Sequence, residues 1–197
     1  LVRDYAGRKD GAHQAEALMA VIESLEKDID KHRDLMNEIG VANSVAAGAY
    51  IRAGEDLKAV PLLQKAVALQ NKVVARNPQD TVAQRGAMLA HAKLGDVLLG
   101  QGAASLNRRA DGLAHLAKMA EYGERLYKAD PIPKANRVNY AMSLLRYADA
   151  KPLEDATAIE GIGNAIKILD NVAQDDPRDV GTRRHLSEAA TRLGSRH

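Results

Sequence analysis

The 197-residue chain has no cysteine, no phenylalanine and no tryptophan, and six tyrosines are its whole aromatic complement. Without cysteine there is no disulfide framework, no thiolate metal site and no cysteine nucleophile. No stretch approaches 18 consecutive apolar residues, so nothing reads as a membrane-inserted helix. An excess of one charge sign is missing too. Against 28 Lys+Arg stand 26 Asp+Glu, a net charge of +2, too even for a nucleic-acid arm. The first residue is Leu1 and no basic stretch leads into an apolar one, so the expectation is a piece of a longer protein whose compartment is not written in it.

What is there is helix-forming: 35 Ala and 22 Leu, residues of high intrinsic helix propensity. Small Ala and Gly faces let helices approach closely in place of large aromatics. The composition predicts an all-α protein.

Internal repetition carries the architecture. Asn77-Pro78, Asp130-Pro131 and Asp176-Pro177 each follow one helical pattern and open another, and the prolines lie 53 and 46 residues apart. Fifteen to seventeen residues after each proline stand Lys93-Leu94-Gly95, Arg146-Tyr147-Ala148 and Arg192-Leu193-Gly194. Nineteen, fifteen and twelve residues before each stand Ala59, Leu63 and Ala66, then Gly112, Leu116 and Met119, then Ala158, Ile162 and Ala165. Each triplet falls on one helical face. The length difference falls in the loop around Gly100-Gln101-Gly102-Ala103-Ala104-Ser105. Helices are predicted over 10–37 (one or two, with a break near Asp28-Ile29-Asp30), 41–53, 57–76, 80–99, 108–129, 134–149, 153–174 and 178–194. Gly40, Gly54 and Gly102 are read as helix ends or turns, and Pro61 and Pro152 as first-turn prolines.

These residues resemble tetratricopeptide repeats. Ala46, Ala47, Tyr50, Gly54, Ala59, Leu63 and Ala66 fall at the family's spacings, and Leu94-Gly95-Asp96-Val97-Leu98 with Gly102 matches the first helix of a second repeat. The chain departs from the family in its long units, in Asn43, Ala or Leu at the large aromatic positions, and in Ala148 where Gly is commoner. The resemblance covers about 40–194 and is similar to extended helical-repeat segments of bacterial signalling and regulatory proteins. It implies a right-handed α-solenoid of about three and a half antiparallel hairpins: units of about 40–78, 79–131, 132–177 and a partial 178–197, behind an N-terminal capping segment, 1–39.

Catalytic and metal chemistry find little support. None of the six histidines forms a His-Glu-x-x-His pair. Asp111 and His115 share a helix face at i, i+4, which an ordinary exposed pair also does, and no third ligand is near in sequence. Gly161-Ile162-Gly163 lacks the third glycine and the preceding strand of a dinucleotide site; its glycines are read as close-packing positions. Ser44, Ser105, Ser143 and Ser187 lack a nucleophile elbow. Asp28/Asp30 and Asp175/Asp176 read as turn or cap carboxylates. Neither an enzyme nor a cofactor is expected. The arginines 178, 183, 184, 192 and 196 read as a solvated face, without interleaved aromatics for nucleic acid.

Equivalent positions in stacked repeats place Lys93, Arg146 and Arg192 in one column and Asp96 and Asp149 in another, either as a polar groove or as i, i+3 pairs along each helix. The functional expectation is a scaffold that binds a protein or peptide along the first helices of the hairpins: Leu89, Ala92, Lys93, Asp96, Met142, Leu145, Arg146 and Asp149. The alternative is a sensor with a small molecule between helices, for which Asn139, Tyr140 and Tyr147 are the polar candidates. The stripe Ala17, Leu18, Val21, Ile22, Leu25 and Ile29 is expected to cap the first repeat or to support self-association.

Overall fold

A computed structural model describes residues 2–27, 35–100 and 108–196, the side chains of residues 2–9 and Glu26 aside. Among the described residues there are eight helices and no strand: α1 (Val2–Glu26), α2 (Met36–Ala53), α3 (Asp56–Arg76), α4 (Thr81–Leu99), α5 (Arg109–Ala129), α6 (Lys134–Asp149), α7 (Ala156–Asp175) and α8 (Val180–Gly194). The all-α expectation holds; α2 starts five residues before the predicted 41, and from α3 onward the predicted boundaries fall within three residues of these. The expected break at 28–30 and the loop 101–107, with Gly102 and Ser105, lie outside the described residues.

The helix ends have local causes. Gly54 and Gly100 take left-handed conformations, φ 77° and 74°, which glycine adopts without a Cβ clash. Asp80, Asp155 and Asp179 cap α4, α7 and α8 by accepting backbone N–H bonds, as at Val82 and Ala83 for Asp80, both 3.0 Å. The Asp155 cap makes α7 start three residues later than predicted. Gly40 is not a helix end; it is buried inside α2. Pro61 lies in the second turn of α3, where it removes a backbone donor on the exposed side.

The chain divides into two compact units, Leu1–His115 and Leu116–His197. In the first, α1 packs on α2, α2 on α3 and α3 on α4, and α2 also touches α4. In the second, α6 packs on α7 and α7 on α8, and α6 also touches α8. In each unit these helices thus pack on their neighbours in sequence, and one pair of next-but-one helices also touches.

All nine residues of the triplets that precede the prolines are buried. Leu63, Leu116 and Ile162, the large residue of each triplet, are 0, 1 and 0% exposed. Burying such a side chain contributes about 1.5–3 kcal/mol relative to leaving it in water. In the first unit Ile22, Ile39, Leu63, Leu94 and Leu98 form the core with Ala46, Ala47 and Ala66. Glycine brings backbones together there: a Cβ at Gly112 would lie 3.0 Å from the Gly95 carbonyl and 3.1 Å from the Leu99 nitrogen. Gly161 and Gly163 have nothing within 4 Å of a Cβ, so they are not close-packing positions. The buried stripe of α1 contains Ala15 and Ile22, with Leu18 and Leu25 partly buried, while Ala17 and Val21 face outward; Ile29 lies outside the described residues.

In the second unit Leu145, Ala148, Ile162, Leu169 and Ala189 form the core. Tyr127 of α5 stacks on Tyr140 of α6, ring centroids 5.4 Å apart. Asn136 donates its amide to the Asp130 carbonyl at 2.9 Å.

Candidate binding surfaces

Exposed apolar side chains on a helix are informative where they adjoin. On α2 the outward stripe runs Val41, Val45, Gly48, Arg52, one step of a helical face at a time. On α4 it runs Val82, Leu89, Lys93, with the rest of that helix largely buried. Val41, Val45 and Leu89 are 44, 50 and 52% exposed. Lys93 ties the two helices by donating from Nζ to the Ser44 carbonyl at 2.9 Å.

Gly48 opens the floor between these stripes. A Cβ placed there would lie 3.6 Å from Arg52 Nη1 and 3.7 Å from Lys93 Nζ. Burial pushes the Lys93 ammonium below its ordinary range, and the Arg52 charge adds to the effect.

The eight residues expected to line a partner face separate in the structure. Leu89 is exposed, Lys93, Asp96, Met142 and Arg146 are half-buried, and Asp149 is exposed. Ala92 and Leu145 are 3 and 1% exposed and offer no accessible surface. Each precedes a half-buried cation by one residue, and one helical step of about 100° turns it inward. Links between helices involve two of the expected column residues: Lys93 reaches α2, and Arg192 of α8 pairs with Asp149 of α6, Nε to Oδ2, at 3.0 Å. Sequence reasoning missed Val41, Val45 and Arg52. The signal was present, because Val41, Val45, Gly48 and Arg52 hold one face of a helix whose other faces are Ala-rich.

The second unit has its own recess of about 470 Å³ between α6 and the start of α8, lined by Lys134, Val138, Asn139, Asp179, Thr182 and His185. Lys134 is held at one wall by Asp179, Nζ to Oδ2, at 2.6 Å. That pairing and the Thr182 hydroxyl keep the Asp179 carboxyl far below the usual carboxylate range. Asn139, one of the three polar candidates, is thus placed at a recess. Tyr140 stacks on Tyr127, and Tyr147 receives the Lys151 ammonium 4.3 Å from its ring centroid.

Asp111 and His115 each have another neighbour. Asp111 pairs with Arg108 at 2.6 Å. His115 turns instead to the buried His91 of α4, Nδ1 to Nδ1, at 2.9 Å. Among the described residues no group of three or more His, Cys, Asp or Glu is placed to hold a metal ion, and no helix is long and apolar enough to cross a membrane. No protein-family model matches this chain, and no curated protein or solved structure matches it significantly.

Proposed function

We propose that this chain is a non-catalytic polypeptide-binding module built from tetratricopeptide-like hairpins, and that it binds through the adjoining exposed faces of α2 and α4. The observation that carries this reading is the placement of Val41, Val45 and Leu89, about half-exposed, beside two cations on helices that touch. Covering apolar surface yields about 25 cal/mol per Å², and a helix or extended segment laid along two adjoining helices covers it continuously. The repeat type rests on two supports: the neighbour-on-neighbour packing shared by both units, and the nine buried triplet positions at matching distances from the three prolines.

The test is affinity capture from lysate with the purified chain beside a Val45→Lys/Leu89→Lys variant of unchanged helicity. A protein retained by the natural chain and lost from the variant supports the reading. Equal capture by both removes this face as the binding surface.

A second reading is favoured by the recess between α6 and α8, where Lys134, Asn139, Thr182 and His185 offer polar groups beside an apolar wall. That combination suits a small-molecule sensor. Native mass spectrometry of the purified chain distinguishes the two: a bound small molecule lost on Asn139→Ala/His185→Ala supports the sensor.

A further inference from the structure

Two cations sit at one end of the apolar α2/α4 face, and among the described residues no anion is shown to pair with either. Arg52 is exposed and Lys93 half-buried, and both reach the open position over Gly48, at 3.6 and 3.7 Å from a Cβ there. Among the described residues no carboxylate offsets the lowering of the Lys93 pKa, which comes from burial first and Arg52 second. Among the described residues Arg52 makes no ion pair. Like charges held together at a half-desolvated place are costly without a counter-ion.

The donors are oriented for one. Lys93 has three N–H donors and uses one on the Ser44 carbonyl, which anchors the ammonium between the helices and leaves two donors free of it. The Arg52 guanidinium presents a planar fork. A carboxylate over Gly48 accepts from both, and charge-assisted bonds of this kind are about twice as strong as neutral ones. A Cβ at position 48 would take up that space; glycine leaves it open.

The apolar neighbours set what else the partner carries. Leu89 lies one turn before Lys93, and Val45 one turn before Gly48, a step of about 5.4 Å along either helix. An α-helix presents side chains at that same step. Resting on the polypeptide-binding reading above, we propose that the Arg52–Lys93 pair reads a carboxylate, and that the partner is an amphipathic helix with Asp or Glu one turn from a large apolar residue. The two-cation site and the near-balanced net charge of +2 fit one or two acidic side chains, not a phosphodiester backbone that needs a long basic track.

The experiment is selection of helix-forming peptides from a random display library on the whole chain, followed by fluorescence anisotropy with the selected peptides made synthetically. Enrichment of Asp or Glu one turn from Leu, Ile, Met or Phe is expected. Replacing that acid by Gln in the peptide is expected to weaken binding about tenfold at low salt, and Arg52→Gln to do the same, with little further loss when both changes are combined. The peptide-side change leaves the protein's fold untouched, and circular dichroism checks the variant. Selected peptides that compete at Val45 and Leu89 but show no acidic preference overturn the carboxylate reading and leave the binding module standing. Failure to select any peptide overturns the module itself. Displacement of the peptides by inorganic phosphate at concentrations where acetate has no effect assigns the site to a phosphorylated partner, and overturns the proposal. Concentration-dependent dimerisation lost on Arg52→Gln assigns the face to a second copy, and likewise overturns it.

Discussion

His91 of α4 and His115 of α5 meet through their Nδ1 atoms at 2.9 Å, with the rings tilted by 41° and His91 almost wholly buried. At this distance one nitrogen donates and the other accepts, so the pair accommodates one Nδ1 proton. A second Nδ1 proton would set two N–H donors against each other and place a positive charge in a partly desolvated site.

Stability should therefore depend on pH with a definite sign. Burial lowers the His115 pKa from its ordinary 6.5, with Arg108 opposing the charge as well and Asp111 favouring it. The unfolded chain then binds the proton more readily than the folded one. Stability is complete above about pH 6.5, is lost as the pH falls below it, and stops falling once the pH is beneath the folded value. Urea unfolding between about pH 8 and pH 5 should show this loss, and His115→Gln should flatten it. An equal loss in the variant would assign it to other groups.

Leu116→Ala tests the repeat alignment at its least obvious member. Leu116 stands at the same distance before its proline as Leu63 and Ile162, and it is 1% exposed. Truncation should cost about 2–5 kcal/mol, the range for a buried leucine whose site does not collapse. An unchanged denaturation midpoint would show that the position is not core.

The sequence made the helices legible because proline, aspartate and glycine mark their ends, and because small and large residues recur on one face at fixed distances from Pro78, Pro131 and Pro177. Much less of the surface was legible. A helical face names residues that share a side, but whether that side meets water depends on helices far away in sequence. Ala92 and Leu145 were expected on the partner face on spacing alone; the packing of α4 and α6 turns them inward. His115 was read against Asp111, four residues away, while its partner His91 comes from another helix. Arg52 escaped notice because its significance lies in a cation 41 residues further on.

Glycine substitutions should have opposite signs at different places. At Gly112 a methyl group would press on the backbone of α4, 3.0 Å from the Gly95 carbonyl, and lie 2.7 Å from Leu99 Cγ; backbone cannot move aside as a flexible side chain does. Gly112→Ala should cost about 1–3 kcal/mol through overpacking. At Gly161 and Gly163 the methyl enters open space within α7, and only the gain in helix propensity remains, about 0.8–1.0 kcal/mol each. Thermal melts of the three single variants should place Gly112→Ala below the natural chain and the other two above it. A destabilised Gly161→Ala would mean that this face of α7 is not open.

Asp149 and Arg192, whose columns read either as a polar groove or as pairs along each helix, pair with each other across α6 and α8. The Nε–Oδ2 distance is 3.0 Å, with the side chains 36 and 32% exposed, and Arg196 beside it donates to the Ala148 carbonyl at 2.6 Å. Both contacts bind the end of α8 to the end of α6. An ion pair this exposed contributes about 0.2–1 kcal/mol, so a double-mutant cycle with Asp149→Ala and Arg192→Ala should return a coupling in that range from unfolding data. The same variants should leave peptide binding at the α2/α4 face unchanged, because none of Val45, Leu89, Arg52 and Lys93 belongs to that pair. A peptide affinity that falls on Asp149→Ala while the coupling energy is zero would reverse the assignment, making Asp149 a partner contact and not a tie between helices.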